Sequence, residues 1–370
     1  MEYFFILGRN PQLSYAEIVS FLVGHRISYK VVSFEQNFLI LSTEEELKLD
    51  IQRFGGVLKI GKANLIKNAK DLDKHIEDYF ALERKFTYSV IGNEEDEKVE
   101  YVEDALKQKF KKEKLKAQVK HSSDVIKMQE GEDFEFIKAD VEFFLYRFGI
   151  KSFFGIVEQS YSYKEIKSRD MQKPVRREAL AISPRLAKIV INLSQVEEGQ
   201  FLADPFCGIG VIVQEAVLMG INCFGADIDL SAIEGARKNL NWLNSKYKVT
   251  GEARFHLGDS ARFPSVRLDG VATEPALGEV VRKKLNNRES EQYVIMFEDL
   301  VIPVLSRMKQ LKTRNAKVVL TMPFIRNTSV SVSRICQQTG LKVYDLPGVT
   351  MPIKEFRERQ FIGREIVILE

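Results

Sequence analysis

The chain has 370 residues, 45% hydrophobic and 29% charged, with a formal net charge of +3. Such a length predicts two or three domains, the composition excludes a disordered chain, and the mild positive balance neither requires nor excludes a nucleic-acid partner. No apolar run approaches membrane-spanning length, and three dispersed cysteines, Cys207, Cys223 and Cys336, exclude a disulfide framework and a cysteine-based zinc site.

The start, Met1-Glu2-Tyr3-Phe4-Phe5-Ile6-Leu7-Gly8, lacks a basic leader and reads as a strand, so a cytoplasmic protein is expected. Residues 1–66 read as strand, helix, strand, strand, helix, strand, with strands near 3–7, 27–34, 38–42 and 57–66. Ser14 and Glu17 have capping-box spacing ahead of Ile18, Phe21 and Leu22, and Gly24 would stop that helix. A second helix is expected over 44–54, ended by Gly55-Gly56. This order suits a ferredoxin-like α+β unit, either a structural platform or part of a nucleic-acid grip.

Residues 67–160 form a second expected unit, with helices at 70–80 and 97–112 and strands at 86–91, 114–120, 134–144 and 153–158. Lys107, Lys109, Lys111, Lys112 and Lys114 run into a strand bearing Lys116 and Lys120. Such a density of lysines can neutralise phosphates, and a solvated helix face explains it equally well. Residues 161–177 read as an extended linker. Its tyrosines and basic residues, Arg169 and Lys173 among them, also suit a nucleic-acid groove.

From 178 to 370 strands and helices alternate, the mark of a parallel sheet. Helices are expected at 182–193, 211–219, 231–243, 291–311 and 330–339. Strands are expected at 200–203, 223–226, 253–257, 270–272, 317–322, 342–345 and 365–369. Seven strands with a late hairpin-like pair suit a methyltransferase sheet better than a six-stranded dehydrogenase sheet.

Asp204-Pro205-Phe206-Cys207-Gly208-Ile209-Gly210 joins the first of these strands to its helix. Gly208 and Gly210 let backbone amides approach a ligand. Val213 stands where the dinucleotide fingerprint needs a small residue, and Asp204 would repel a phosphate but attract an ammonium group. S-adenosyl-L-methionine carries such an ammonium and a ribose without phosphate. Another nucleotide, or a tight turn without ligand, remains open on this turn alone. Asp227 ends the second strand, where one carboxylate can accept from two ribose hydroxyls, and Ile228 can pack on the adenine. Asp229 suits support of the next helix, where Ser231 and Glu234 have capping-box spacing. Asp259 ends the third strand within reach of an adenine amine. Phe206 borders the same site. Cys207 reads as a small filler in the turn, and the four histidines are scattered.

The fourth strand ends in Thr273-Glu274-Pro275-Ala276-Leu277-Gly278. Here the C-terminal half resembles class I amino-methyltransferases, and the whole chain resembles the THUMP-domain RNA methyltransferases that modify the 2-amino group of a tRNA guanosine. The residues that carry the likeness are Leu7-Gly8-Arg9-Asn10-Pro11, Ser14-Tyr15-Ala16-Glu17, Arg169-Asp170-Met171-Gln172-Lys173-Pro174 and Ile182-Ser183-Pro184-Arg185-Leu186-Ala187. The Asp204 turn and Gly363-Arg364-Glu365-Ile366-Val367 complete the set. The resemblance implies an α/β class I fold with a Rossmann-like seven-stranded sheet, preceded by ferredoxin-like (1–66) and THUMP RNA-binding (67–160) domains and the linker. It implies an enzyme with S-adenosyl-L-methionine as cofactor, no metal, guanosine at position 10 of tRNA as the default target, and no membrane; an activating subunit stays open.

In the family the motif reads Thr-Asp-Pro-Pro-Tyr-Gly. Here the acid is one methylene longer and the second proline and the aromatic ring are absent. Glu274 and the Pro275 carbonyl can still accept from the two N–H groups of a base amine, whereas Leu277 can pack on a base but offers no π surface; Phe206 or Phe324 could supply one. Three readings follow: a methyltransferase acting on an RNA base amine, a methyltransferase with another substrate (DNA, another RNA or a protein side chain), and an RNA-binding protein without catalysis. The RNA contacts expected in the first are Lys111, Lys112, Lys116, Lys120, Arg169 and Lys173, with tRNA or another structured RNA as partner. The mixed-sign run 354–359 is a solvated segment first and an RNA contact second.

Overall fold

The computed structural model describes residues 1–92, 98–120, 139–177, 182–275, 285–325, 328–356 and 361–370. They form two compact units. The first comprises residues 1–9, 28–51 and 57–161, and the second 10–27, 52–56 and 162–370.

The first unit is built on strands β1 (Glu2–Leu7), β2 (Tyr29–Glu35), β3 (Phe38–Thr43), β4 (Val57–Ile66), β5 (Lys85–Gly92), β6 (Lys116–Val119), β7 (Val141–Phe148) and β8 (Lys151–Ser160). They make one sheet in the order β2-β3-β1-β4-β8-β7-β5-β6. It is antiparallel from β2 to β7, whereas β5 runs parallel to both its neighbours. Two helices of this unit, Ala69–Glu77 and Lys98–Lys112, bury Leu72, Ile76, Val102, Leu106 and Phe110 against Phe86, Tyr88, Phe143 and Phe154. The sheet runs unbroken through residue 66, where the sequence suggests a domain boundary. The helix expected over 44–54 is not formed; only a single 3₁₀ turn, Ile51–Arg53, appears. Leu47 and Ile51 are buried at helical spacing, which is why the pattern misleads. Their amides are taken by the Tyr3 hydroxyl (2.9 Å) and the Gln159 side chain (2.8 Å), which also donates to the Leu49 carbonyl (2.7 Å), so side chains replace the helical ladder.

The helix α1 (Pro11–Gly24) belongs to the second unit. It starts earlier than its Ser14–Glu17 spacing suggests, because Asn10 caps it by accepting from the Leu13 amide at 3.1 Å. Glu17 is fully buried and accepts from the Gly55 and Gly56 amides and the Asn192 side chain, at 2.7–2.8 Å. That cradle joins α1 and residues 52–56 to a later helix (Pro184–Leu193), which is capped by Ser183 and begins two residues inside the expected 182–193. The stretch read as an extended linker contains an α-helix, Tyr163–Met171.

The rest of this unit is a second sheet: β9 (Phe201–Asp204), β10 (Asn222–Asp227), β11 (Ala253–Leu257), β12 (Leu268–Thr273), β13 (Lys312–Ile325), β14 (Thr328–Ser329), β15 (Ile353–Glu355) and β16 (Gly363–Leu369). The order is β11-β10-β9-β12-β13-β16-β15, with β14 hanging from β13. The first five are parallel, and β16 inserts antiparallel between β13 and β15. Helices Asn287–Leu311 and Val332–Thr339 close one core, in which Val294, Phe297, Val301 and Ile335 meet Val271, Val318 and Leu320. The strand expected at 342–345 reduces to an isolated bridge at Val343; the edge position is held by β15, too short and too charged for sequence to reveal. The chain reverses its direction of winding between β9 and β12, so ligands belong at the carboxyl ends of β9, β10 and β12.

Candidate active site

Three strand ends meet at that edge, and hydrogen bonds lace them together. Gly208 and Gly210 hold φ of 51° and 82°, which only glycine adopts without strain. A side chain at Gly208 would meet nothing within 4 Å, so the Cα of the turn borders open space. The Gly208 amide donates to Asp227 Oδ2 (2.9 Å) and the Asp229 amide to Asp227 Oδ1 (2.9 Å). The Cys207 amide reaches the Ala226 carbonyl (2.8 Å), the Gly258 amide the Asp227 carbonyl (3.0 Å), and the Ser260 hydroxyl the Pro205 carbonyl. Asp227 therefore shapes the glycine turn and keeps one further lone pair on each oxygen for a ligand. Beside it Ile228 is 76% exposed and Leu257 is also exposed, an apolar rim next to polar backbone.

Asp204 departs from its expected direct contact with a ligand. It is 1% exposed and accepts from the Thr273 hydroxyl (2.7 Å) and, at 3.3 Å, the Phe206 amide. Burial pushes its carboxyl up to about 7; the Thr273 and Phe206 hydrogen bonds oppose this, and the Asp227 and Glu274 charges add to it. It lies under the turn, coupling β9 to the end of β12. Phe206 is half-buried and packs on the core. Cys207 is buried and its thiol is pushed well above its ordinary range by that burial, so it is no nucleophile. Asp259 is a cap for the 3₁₀ turn Ser260–Arg262, donated to by the Ala261 amide at 2.9 Å. Asp229, rather than Ser231, caps the following helix (Leu230–Lys246), and hydrogen bonds from Arg177 and Ser231 hold its carboxyl down to about 2.

At the end of β12 the Glu274 carboxylate is gripped by Arg364 of β16: Nε donates to Oε2 at 2.7 Å and an Nη to Oε1 at 3.1 Å, with side-chain exposures of 5% for Glu274 and 15% for Arg364. Burial works against the Arg364 charge, and Glu274 more than offsets it, holding the guanidinium above its ordinary range. The fork fixes the plane of the carboxylate. Sequence names Arg364 only as part of a motif; its partner lies 90 positions away and only the sheet brings them together. Pro275 follows Glu274 and is buried. Leu277 lies outside the described residues.

Two of the expected RNA contacts have other roles. Arg169 is buried and forms a two-pronged pair with Glu215 at 2.8 and 3.1 Å, and Lys173 is buried against Asp170 at 3.1 Å. Their charges are matched inside the protein, which removes them from direct phosphate contact. Lys111, Lys112 and Lys116 are exposed and Lys120 is half-buried. Lys109 is buried and pairs with Glu113 at 2.6 Å, so it leaves the lysine cluster. The structure adds two residues that the sequence reading passed over: Arg84 and Lys85 are exposed, and Lys85 stands opposite Lys116 in the β5–β6 register. Among the described residues none of Arg84, Lys85, Lys111, Lys112 and Lys116 has a carboxylate within ion-pair distance.

Comparison with known proteins fits this architecture. Residues 173–292 match the family model of the RMKL-like methyltransferase domain. The chain is 33% identical over 109 residues to a "Probable tRNA (guanine(10)-N2)-dimethyltransferase" of Methanothermococcus thermolithotrophicus, covering 28% of this chain and 67% of that protein. The chain belongs to the family of these methyltransferases. It is also 38% identical over 98 residues to the tRNA (guanine(10)-N2)-dimethyltransferase of Methanothermobacter thermautotrophicus, spanning 26% of this chain and 28% of that relative's length. The crystal structure of TrmN from Thermus thermophilus aligns with a TM-score of 0.55 at 13% identity, over 100% of this chain and 99% of that one, and shares the fold. The expected α/β methyltransferase fold and the family are thus shown. No helix of the described residues is long and apolar enough to cross a membrane.

Proposed function

We propose that the protein transfers a methyl group from S-adenosyl-L-methionine to the 2-amino group of a guanosine in tRNA. The observation that carries this is the pairing, on one sheet edge, of an open glycine turn braced by Asp227 with a fixed carboxylate, Glu274, at the adjoining strand end. Asp227 would hold the ribose hydroxyls, Ile228 and Leu257 the adenine faces and Asp259 its amine. The Gly208 turn would accommodate the amino-acid end, and Asp204 would hold that turn from beneath through its bonds with Thr273 and the Phe206 amide.

The cofactor supplies a methyl already activated by a positively charged sulfur. The chain has to supply an acceptor. A base amine delocalises its lone pair into the ring, and two acceptors on its N–H groups localise the pair and aim it. Glu274 and the Pro275 carbonyl would be those acceptors. Arg364 uses one lone pair of each Glu274 oxygen and leaves another. Glu274 Oε would take up the proton that the amine nitrogen must lose on receiving the methyl group from the bound cofactor. The first unit, a THUMP-bearing grip in this reading, would hold structured RNA by shape and phosphate contacts, with Arg84, Lys85, Lys111, Lys112 and Lys116 as a basic surface and Lys120 at its edge. The names of the relatives support tRNA as substrate.

Incubation with methyl-labelled cofactor and total tRNA, followed by digestion to nucleosides, tests the proposal. Label in N2-methylated guanosine is expected. Label in another nucleoside alone, or RNA binding without label, would overturn it.

A further inference from the structure

We propose that Phe356, backed by Phe324, is the surface on which the target base stacks, a role that rests on the activity proposed above. A base lifted out of a helix loses its stacking partners, and enzymes that work on such bases replace them with a flat side chain. Leu277, in the motif that follows Glu274, has no π face to give.

The sheet register places a substitute beside the acceptor. Phe324 lies near the carboxyl end of β13 and faces Gly363 across the strand pair. The next residue, Arg364, grips Glu274. Phe356 follows directly on β15, whose Glu355 stands opposite Arg364. Because β13 and β15 run parallel to β12 and β16 runs against them, Phe324, Phe356, Gly363 and Glu274 all sit at the edge where ligands bind.

The two rings meet edge to face, 6.3 Å apart at 85°. A side chain at Gly363 would strike the Phe356 ring at 2.6 Å and approach Phe324 at 3.4 Å, so the glycine makes room for the pair. Lys354 Nζ lies over the Phe324 ring, 4.2 Å from its centroid, which helps to hold that ring. Asn10 fixes the strand beneath, donating to the Lys354 carbonyl (2.8 Å) and to Glu355 Oε2 (2.7 Å). With Phe324 half-buried and held, Phe356 is left 45% exposed. An aromatic ring packed against a second ring and still exposed to this degree is suited to a planar base rather than to the core.

A cycle of binding measurements tests this. The RNA is the tRNA that the labelling experiment identifies, prepared with the target guanosine and with an abasic residue in its place. Wild type and Phe356→Ala are titrated with both, with Phe356→Tyr and Phe356→Leu as comparisons. Base–aromatic stacking predicts that Phe356→Ala weakens binding of the guanosine RNA about five- to a hundredfold more than that of the abasic RNA. Tyr restores the difference and Leu does not. Binding of the abasic RNA also reports that each variant is folded. Equal weakening of both RNAs, or full binding by Phe356→Leu, overturns the assignment. Methyl transfer by the wild type without this coupling overturns the stacking role alone; no transfer by the wild type overturns the activity and the role together.

Discussion

The two halves of the sheet edge are built in different ways. The glycine turn and the ends of β9 and β10 are held by short-range backbone bonds, with Asp227 bracing an amide in the same βαβ unit. The end of β12 is held by long-range side-chain bonds: Thr273 to Asp204, and the grip of Arg364, from the last strand, on Glu274. The first half is shaped by its own residues and suits a constant ligand. The second depends on two positions far apart in the chain, Glu274 and Arg364, which meet in a two-pronged fork.

Breaking the grip gives the largest expected effect. Arg364→Met strands a nearly buried carboxylate, and removing one partner of such a pair costs about 3–5 kcal/mol. Chemical denaturation should show a loss of that order, partly recovered in the Arg364→Met, Glu274→Gln double variant; additive losses would mean that the pair is not coupled. Breaking the other half should spare stability more and affect ligand affinity instead. Asp227→Ala removes the brace of Gly208 and the acceptor for the ribose. S-adenosylhomocysteine affinity measured by calorimetry should fall about a hundredfold, roughly 2.7 kcal/mol; unchanged affinity would place the cofactor elsewhere.

Asp204 joins the halves through Thr273, and its titration gives a smaller effect. Its folded carboxyl, pushed up to about 7 from 3.8, keeps its proton where the unfolded chain has lost it. Stability therefore falls as pH rises from about 4 to about 7, by at most about 1.4 kcal/mol per pH unit, and levels off above. Asp204→Asn keeps an acceptor for Thr273 and should lose that slope; parallel stability curves for the two proteins from pH 5 to pH 7.5 would contradict the burial argument.

The same division governs what the sequence reveals. Strand β11 and the beginning of the helix after Ser183 lie where apolar pattern and capping residues put them, because both signals are local. So are the glycine turn and the acids that follow it. The failures are tertiary. Residues 44–54 keep helical spacing but give their amides to Tyr3 and Gln159. Arg169 and Lys173 look like a basic linker because Glu215 and Asp170 become their partners only in the fold. Arg364 looks like part of a motif until the sheet sets it against Glu274. Charge in sequence does not distinguish a phosphate contact from an internal ion pair; burial does.

The most direct test of the account is Glu274→Gln, examined for S-adenosylhomocysteine affinity by calorimetry and for single-turnover methyl transfer at saturating cofactor and tRNA. Loss of a positioned proton acceptor predicts a transfer rate at least about tenfold lower with cofactor affinity unchanged. A wild-type transfer rate would show that Glu274 takes no part in activating the amine.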